Sequence, residues 1–137
     1  MSRRRLIWIE RYDVLVIHSR LLALDGGATG IRDLALLPSA LARPRQLHAY
    51  GQDPDIVDDA AAYTAGIVGN HPYVDGNKRV GFVVGVLFLE LNGYQFTASE
   101  ESAARALMEL AAGTLRQEGF TAWLRANASR IPRKNWR

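Results

Sequence analysis

Cysteine is absent from this chain of 137 residues, so there is no disulfide framework, no thiolate metal site and no thiol nucleophile. That absence fits a reducing compartment. Histidine is scarce as well. His18, His48 and His71 stand far apart and none has the spacing of a metal-ligand pair, which argues against a metalloenzyme built on histidines. Long apolar runs are missing too. The longest, residues 80–89, falls far short of the roughly 20 residues of a membrane-spanning helix. Near the start, Arg3, Arg4 and Arg5 precede Leu6-Ile7-Trp8-Ile9, a faint likeness to a signal peptide, but this run stops at Glu10, too early for one. A soluble, cytoplasmic protein is expected. No stretch alternates with period two for long, and there is no internal repeat or low-complexity segment. The fold class expected is therefore all-α.

What is present is an ordinary globular composition, 48% apolar and 23% charged. The length suits one domain spanning 1–137 with a single core. The net charge of +3 is modest, yet the cations crowd the ends: Arg3, Arg4 and Arg5 at one, Arg130, Arg133, Lys134 and Arg137 at the other. Such ends bind nucleic acid or an acidic partner, or are simply solvated termini, the plainer alternative.

Periodicity predicts about six helices. Val14, Leu15, Ile17, Leu21 and Leu22 define one from Tyr12 to about Leu24, after a short strand or extended arm at 6–9. Asp25-Gly26-Gly27 opens a loop. A second helix covers about 33–42, starting nearer 37 if Pro38 lies in its first turn, and Pro44 is expected to end it. Residues 44–52 lack clean periodicity and read as a loop or small hairpin. Asp53-Pro54 then has the chemistry of an N-cap and first helical position for a helix to about Gly69. A central helix over 76–91 is apolar nearly all round from Val80 to Leu89, which places it in the core. Gly81 and Gly85 share one face of it, and a close approach by a neighbouring backbone would justify both. Asn92-Gly93 stops it, and Tyr94-Gln95-Phe96 is extended. Ser99 caps a helix to about Ala112 with Glu100 and Glu101 in its first turn. Thr114 and Gln117 have capping-box spacing for a last helix to about Asn127, with Phe120, Trp123 and Leu124 facing inward.

The chemistry concentrates in His71-Pro72-Tyr73-Val74-Asp75-Gly76-Asn77-Lys78-Arg79. A helix beginning near Gly76 points its first N–H groups and the positive end of its dipole at the preceding loop, which attracts phosphate. Asn77 adds an amide donor, and Lys78 and Arg79 add full charges. Asp75 is a hard oxygen ligand of the kind that holds Mg²⁺ jointly with substrate phosphates. His71 can act as a base near neutral pH. Together they suit transfer from a nucleoside triphosphate to a hydroxyl. Each has a plainer alternative: a structural histidine, a turn with an N-cap, a solvated first turn. Convergence ahead of one buried helix raises the functional alternative, but spacing alone leaves the plainer ones ahead.

This nine-residue stretch resembles the motif of the Fic/Doc superfamily, in which Fic proteins carry His-Pro-Phe-x-(Asp/Glu)-Gly-Asn-Gly-Arg and the Doc ("death on curing") branch carries lysine before the arginine. Lys78 places the resemblance with Doc. It extends over nearly the whole chain, through His18, Gly26-Gly27, Ile31-Arg32-Asp33, residues 36–44, Ala60-Ala61-Ala62-Tyr63 and residues 88–94. Two departures are Tyr73 for phenylalanine and Pro38 for a commoner acidic residue. The resemblance implies a compact bundle of about six helices around a buried central helix, with a short flap before the third helix. Residues 44–52 would be that flap, aligning a target segment as an added strand. It implies the toxin of a type II toxin–antitoxin system. This would be an ATP- and Mg²⁺-dependent phosphotransferase that modifies a threonine of elongation factor Tu and arrests protein synthesis. The partner implied is a Phd-type antitoxin, with nucleic acid entering only through that antitoxin. By position, His71 would be the catalytic base, Asp75 the Mg²⁺ ligand, and Gly76, Asn77, Lys78 and Arg79 the nucleotide-phosphate site. Two other functions compete: a Fic-type AMP transferase using the same residues, and a non-enzymatic basic module acting through the arginine-rich ends. Residues 114–119 also fit the loose (Ser/Thr)-x-x-x-Glu-(Gly/Asn) pattern of self-inhibiting Fic proteins, though the capping box accounts for Thr114.

Overall fold

Small residues decide how the innermost helices meet. The computed structural model describes residues 6–27, 35–51, 54–70 and 76–132. Among these, the elements run α1 (Arg11–Asp25), α2 (Leu36–Tyr50), α3 (Ile56–Asn70), α4 (Asn77–Leu91), β1 (Tyr94–Phe96), α5 (Glu100–Ala112), α6 (Gln117–Ala126) and β2 (Ala128–Arg130). Among the described residues the fold is all-α but for one two-stranded ribbon.

α3 and α4 form the centre as an antiparallel pair. A side-chain carbon at Gly81 would lie 3.0 Å from Val68 Cγ2 and 3.2 Å from the Thr64 carbonyl oxygen; one at Gly85 would lie 2.2 Å from Thr64 Oγ1 and 3.1 Å from the Ala60 carbonyl oxygen. The two glycines therefore let the helices close to backbone contact, as their spacing predicts. Each costs about 1 kcal/mol in helix propensity. The contact adds a buried hydrogen bond from Thr64 Oγ1 to the Gly81 carbonyl at 2.7 Å and the packing of Val80, Val84 and Phe88. α4 is buried along one face. α3 is enclosed more completely, every residue from Asp59 to Val68 being buried, because α2, α4, α5 and α6 all pack on it.

The ends of the helices follow local chemistry, with some changes from expectation. α3 is capped by Asp55 rather than Asp53, which lies outside the described residues. The Asp58 amide donates to Asp55 Oδ1 and the Asp55 amide to Asp58 Oδ2, both at 2.9 Å. This reciprocal pair is a capping box built from two aspartates. Ser99 caps α5 as expected, accepting from the Ser102 amide at 3.1 Å. Thr114 does not cap α6. Its hydroxyl donates back to the Glu109 carbonyl at the end of α5, 3.2 Å away, and Arg116 occupies the N-cap of α6.

Pro44 does not end α2. The helix runs through it to Tyr50, and Pro44 is buried inside. The carbonyl of Ala40 thereby loses its donor four residues on. That oxygen turns to α3, where it would stand 3.2 Å from a side-chain carbon at Gly66. The absent side chain at Gly66 is what lets α2 press against α3 at Ala40. Residues 44–50 are accordingly helical, not a loop or hairpin, and the connection before α3 shrinks to 51–55.

Residues 6–10 form an arm that pairs with no strand among the described residues. Side chains hold it instead. Asn92, buried at the end of α4, accepts from the Ile7 amide at 2.8 Å and donates to the Ile7 carbonyl at 2.9 Å. The Tyr63 hydroxyl accepts from the Ile9 amide at 3.0 Å. Tyr94-Gln95-Phe96 is extended as expected, but its partner β2 was not foreseen. The antiparallel register pairs Tyr94 with Arg130 and Phe96 with Ala128.

Candidate functional site

The end of α4 is set by one glycine. Gly76 is its N-cap and takes φ of +85°, in the left-handed region. A side chain would cost about 1–2 kcal/mol there. The first hydrogen bond of α4 runs from the Val80 amide to the Gly76 carbonyl at 2.9 Å. The amides of residues 77–79 therefore point out of the helix end toward the segment before it. No acidic residue stands in the first turn to offset the positive dipole end. Lys78 is exposed, while Asn77 and Arg79 are half-buried. Arg79 folds back, placing Nη2 3.6 Å from where a Gly76 side chain would begin.

Two further elements fix the surroundings. Asn70, the last residue of α3, donates from Nδ2 to the Leu36 carbonyl at the start of α2, 3.1 Å away. On the other side, α1 packs on α4 and brings His18, 7% exposed, against Gly76. The ring atoms Cδ2 and Nε2 lie 3.6 and 3.7 Å from the position of the missing side chain. Residues 71–75 thus span two anchored points, Asn70 and Gly76. His71 and Asp75, expected as base and metal ligand, lie outside the described residues. Gly76, Asn77, Lys78 and Arg79 come together on one helix end as expected. His18 joins them from far away in sequence. Its sequence signal was its place among the blocks that resemble Doc, to which no role was given.

The chemistry this end supports is reception of an anion: outward amides, the dipole and two cations. No cluster of three His, Asp or Glu among the described residues is placed to hold a metal by itself.

The segment before α3 does not border this site. α2 runs antiparallel to α3, with Leu36 beside Asn70 and His48 beside Asp59. Tyr50 and Gly51 therefore sit toward the start of α3, whereas Gly76 lies toward its other end, roughly 20 Å along a helix of this length at 1.5 Å per residue. The described residues 44–51, expected as the flap, are thus not at the end of α4 where a target segment would be aligned. Open cavities of ≈ 500 Å³ and ≈ 390 Å³ do lie at that far end, sharing Leu47 and Gln117, but residues 76–79 line neither.

That far end holds a second polar cluster. Asp59 is 0% exposed. Its Oδ2 pairs with His48 Nδ1 at 2.9 Å, and its Oδ1 has no partner. Burial pushes its carboxyl up to about 6, against the pull of His48. Trp8 packs edge-on against His48, with ring centroids 5.6 Å apart, and Arg45 lies over the Trp8 ring and pairs with Glu10.

An all-α protein whose central helix opens on a glycine-capped, cationic turn is suited to receive a phosphate-bearing molecule there. Residues 8–89 match the Fic/DOC family, and the chain belongs to that family. It is 41% identical over 93 residues to a protein of Mycolicibacterium smegmatis named Toxin Doc, a match covering 66% of this chain and 68% of the other. No helix among the described residues is long and apolar enough to cross a membrane.

Proposed function

We propose that this chain, acting as a single Fic/Doc-like domain, is the toxin of a toxin–antitoxin pair. It transfers phosphate from Mg²⁺-ATP to a threonine of elongation factor Tu in the cytoplasm and so arrests translation. The observation that carries this is the end of α4: a left-handed Gly76, outward amides at residues 77–79, and Arg79 folded back over the turn. It follows directly on His71 and Asp75. The likeness to a protein named Toxin Doc supports the toxin assignment. Lys78, where Fic proteins have glycine, supports phosphate rather than AMP transfer.

In this reading the amides of residues 77–79, with Asn77, Lys78 and Arg79, bind and orient the phosphates. His71 takes the proton from the target hydroxyl as its oxygen attacks the γ-phosphorus, and ADP departs. Asp75 would hold Mg²⁺ jointly with the phosphates, and the ion would neutralise charge on them. A Phd-type antitoxin neutralises the toxin. The test is induced expression in bacteria. Growth should arrest, recover on co-expression of a short antitoxin encoded beside it, and continue in His71→Ala. Arrest by a folded His71→Ala variant would refute catalysis as the cause.

A further inference from the structure

We infer that His18 is a positioning residue for the phosphate site, holding the Gly76 turn and the Arg79 guanidinium in place from α1; this rests on the functional reading above. Two residues from different elements fill the hollow left by the absent Gly76 side chain. Cδ2 and Nε2 of His18 enter from one helix, and Nη2 of Arg79 from another, all three within 4 Å of the same point. The hollow exists only because Gly76 has no side chain and turns with positive φ. Both groups therefore depend on the conformation that also aims the first-turn amides of α4.

The place of His18 within α1 sharpens the point. It stands one turn after Val14, which is fully buried, and is itself almost enclosed. An apolar residue would fill that face of α1 at less cost in desolvation. A polar ring is instead presented where α1 meets the only cationic helix end among the described helices that opens without an acidic residue and with two cations. Removing the ring would open space beside the Gly76 turn and Arg79, because two of the three atoms nearest the missing Gly76 side chain belong to His18. His18 stands beside the Gly76 turn on α1 and belongs to no part of the phosphate cradle itself, so in this inference it acts through Gly76 and Arg79.

The test compares His18→Leu, which keeps bulk, with His18→Gln, which restores a side-chain nitrogen at similar reach. Purified wild type and variants are assayed with Mg²⁺-ATP and elongation factor Tu. Hydrogen exchange is followed at the Val80 amide, whose bond to the Gly76 carbonyl reports the turn. His18→Leu should raise KM for ATP about tenfold, the size seen when a supporting contact to a ligating group is lost, while kcat falls less. Exchange at Val80 should quicken, and His18→Gln should recover most of both. Wild-type KM and exchange in a folded His18→Leu protein would overturn the inference. So would a Gln variant no better than the Leu variant. If the wild type transfers nothing from ATP, the functional reading has failed, and the exchange comparison decides on His18 by itself.

Discussion

Replacing Asp59 with asparagine should stabilise this protein at neutral pH. Asp59 is fully buried, with one oxygen on His48 and the other without a partner. Burial raises its carboxyl from 3.8 to about 6, and attraction to His48 only partly opposes that. A carboxyl raised in the folded state binds its proton more tightly there than in the unfolded chain. The associated stability is full below pH 4 and is lost as pH rises through 6. Two pH units correspond to about 3 kcal/mol, an upper bound for a group paired with histidine. Asparagine keeps the shape and a bond to His48 and never ionises. Urea unfolding, in a His71→Ala background that spares the host, should find Asp59→Asn more stable by about 1–3 kcal/mol at pH 7.5. The difference should vanish near pH 4. A less stable asparagine variant at pH 7.5, with wild-type stability rising from pH 4 to 7, would refute the reasoning. The ionised Asp59–His48 pair would then be net favourable despite its burial.

Gly85→Ala should cost about 3 kcal/mol, because the new carbon would meet Thr64 Oγ1 at 2.2 Å and part α3 from α4, with loss of the Thr64–Gly81 hydrogen bond. Adding Thr64→Ala should recover part of it. A Gly85→Ala protein with the wild-type urea midpoint would show that the helices are not in backbone contact. Asn92→Ala should cost about 2–3 kcal/mol, since both polar groups of Ile7 lose their partner at once and the Phe88 carbonyl keeps only the backbone amide of residue 92. The loss should appear as fast proteolysis within the first ten residues, and a resistant arm would mean that Trp8 and Ile9 anchor it unaided.

The helices were legible where propensity and tertiary packing agree. α4 could be read from its apolar run, its glycine pair and the Asp75-Gly76-Asn77 turn, and the end of α5 and the cap of Ser99 from local chemistry. The sequence was misleading where packing overrides a breaker. Pro44 sits inside α2 because its burial, and the release of the Ala40 carbonyl toward Gly66, offset a lost hydrogen bond. That error carried the flap to 44–52, a stretch the antiparallel course of α2 sends to the wrong end of α3. β2 was invisible because three residues after a helix carry no periodicity and depend on Tyr94-Gln95-Phe96 for every bond. In the candidate site, residues 76–79 are adjacent in sequence and were found together. His18 was noticed only as part of the resemblance, and Asp59, outside that site, not at all, because their significance lies in burial and in neighbours from other helices.

The central claim is transfer of the γ-phosphate, and the choice of phosphorus tests it most directly. Purified protein would be incubated with elongation factor Tu and Mg²⁺, and with ATP labelled at either the α or the γ position. Label from γ alone on the factor, absent with His71→Ala, is the predicted result. Label from α on the target would contradict it, making the same helix end the seat of AMP transfer.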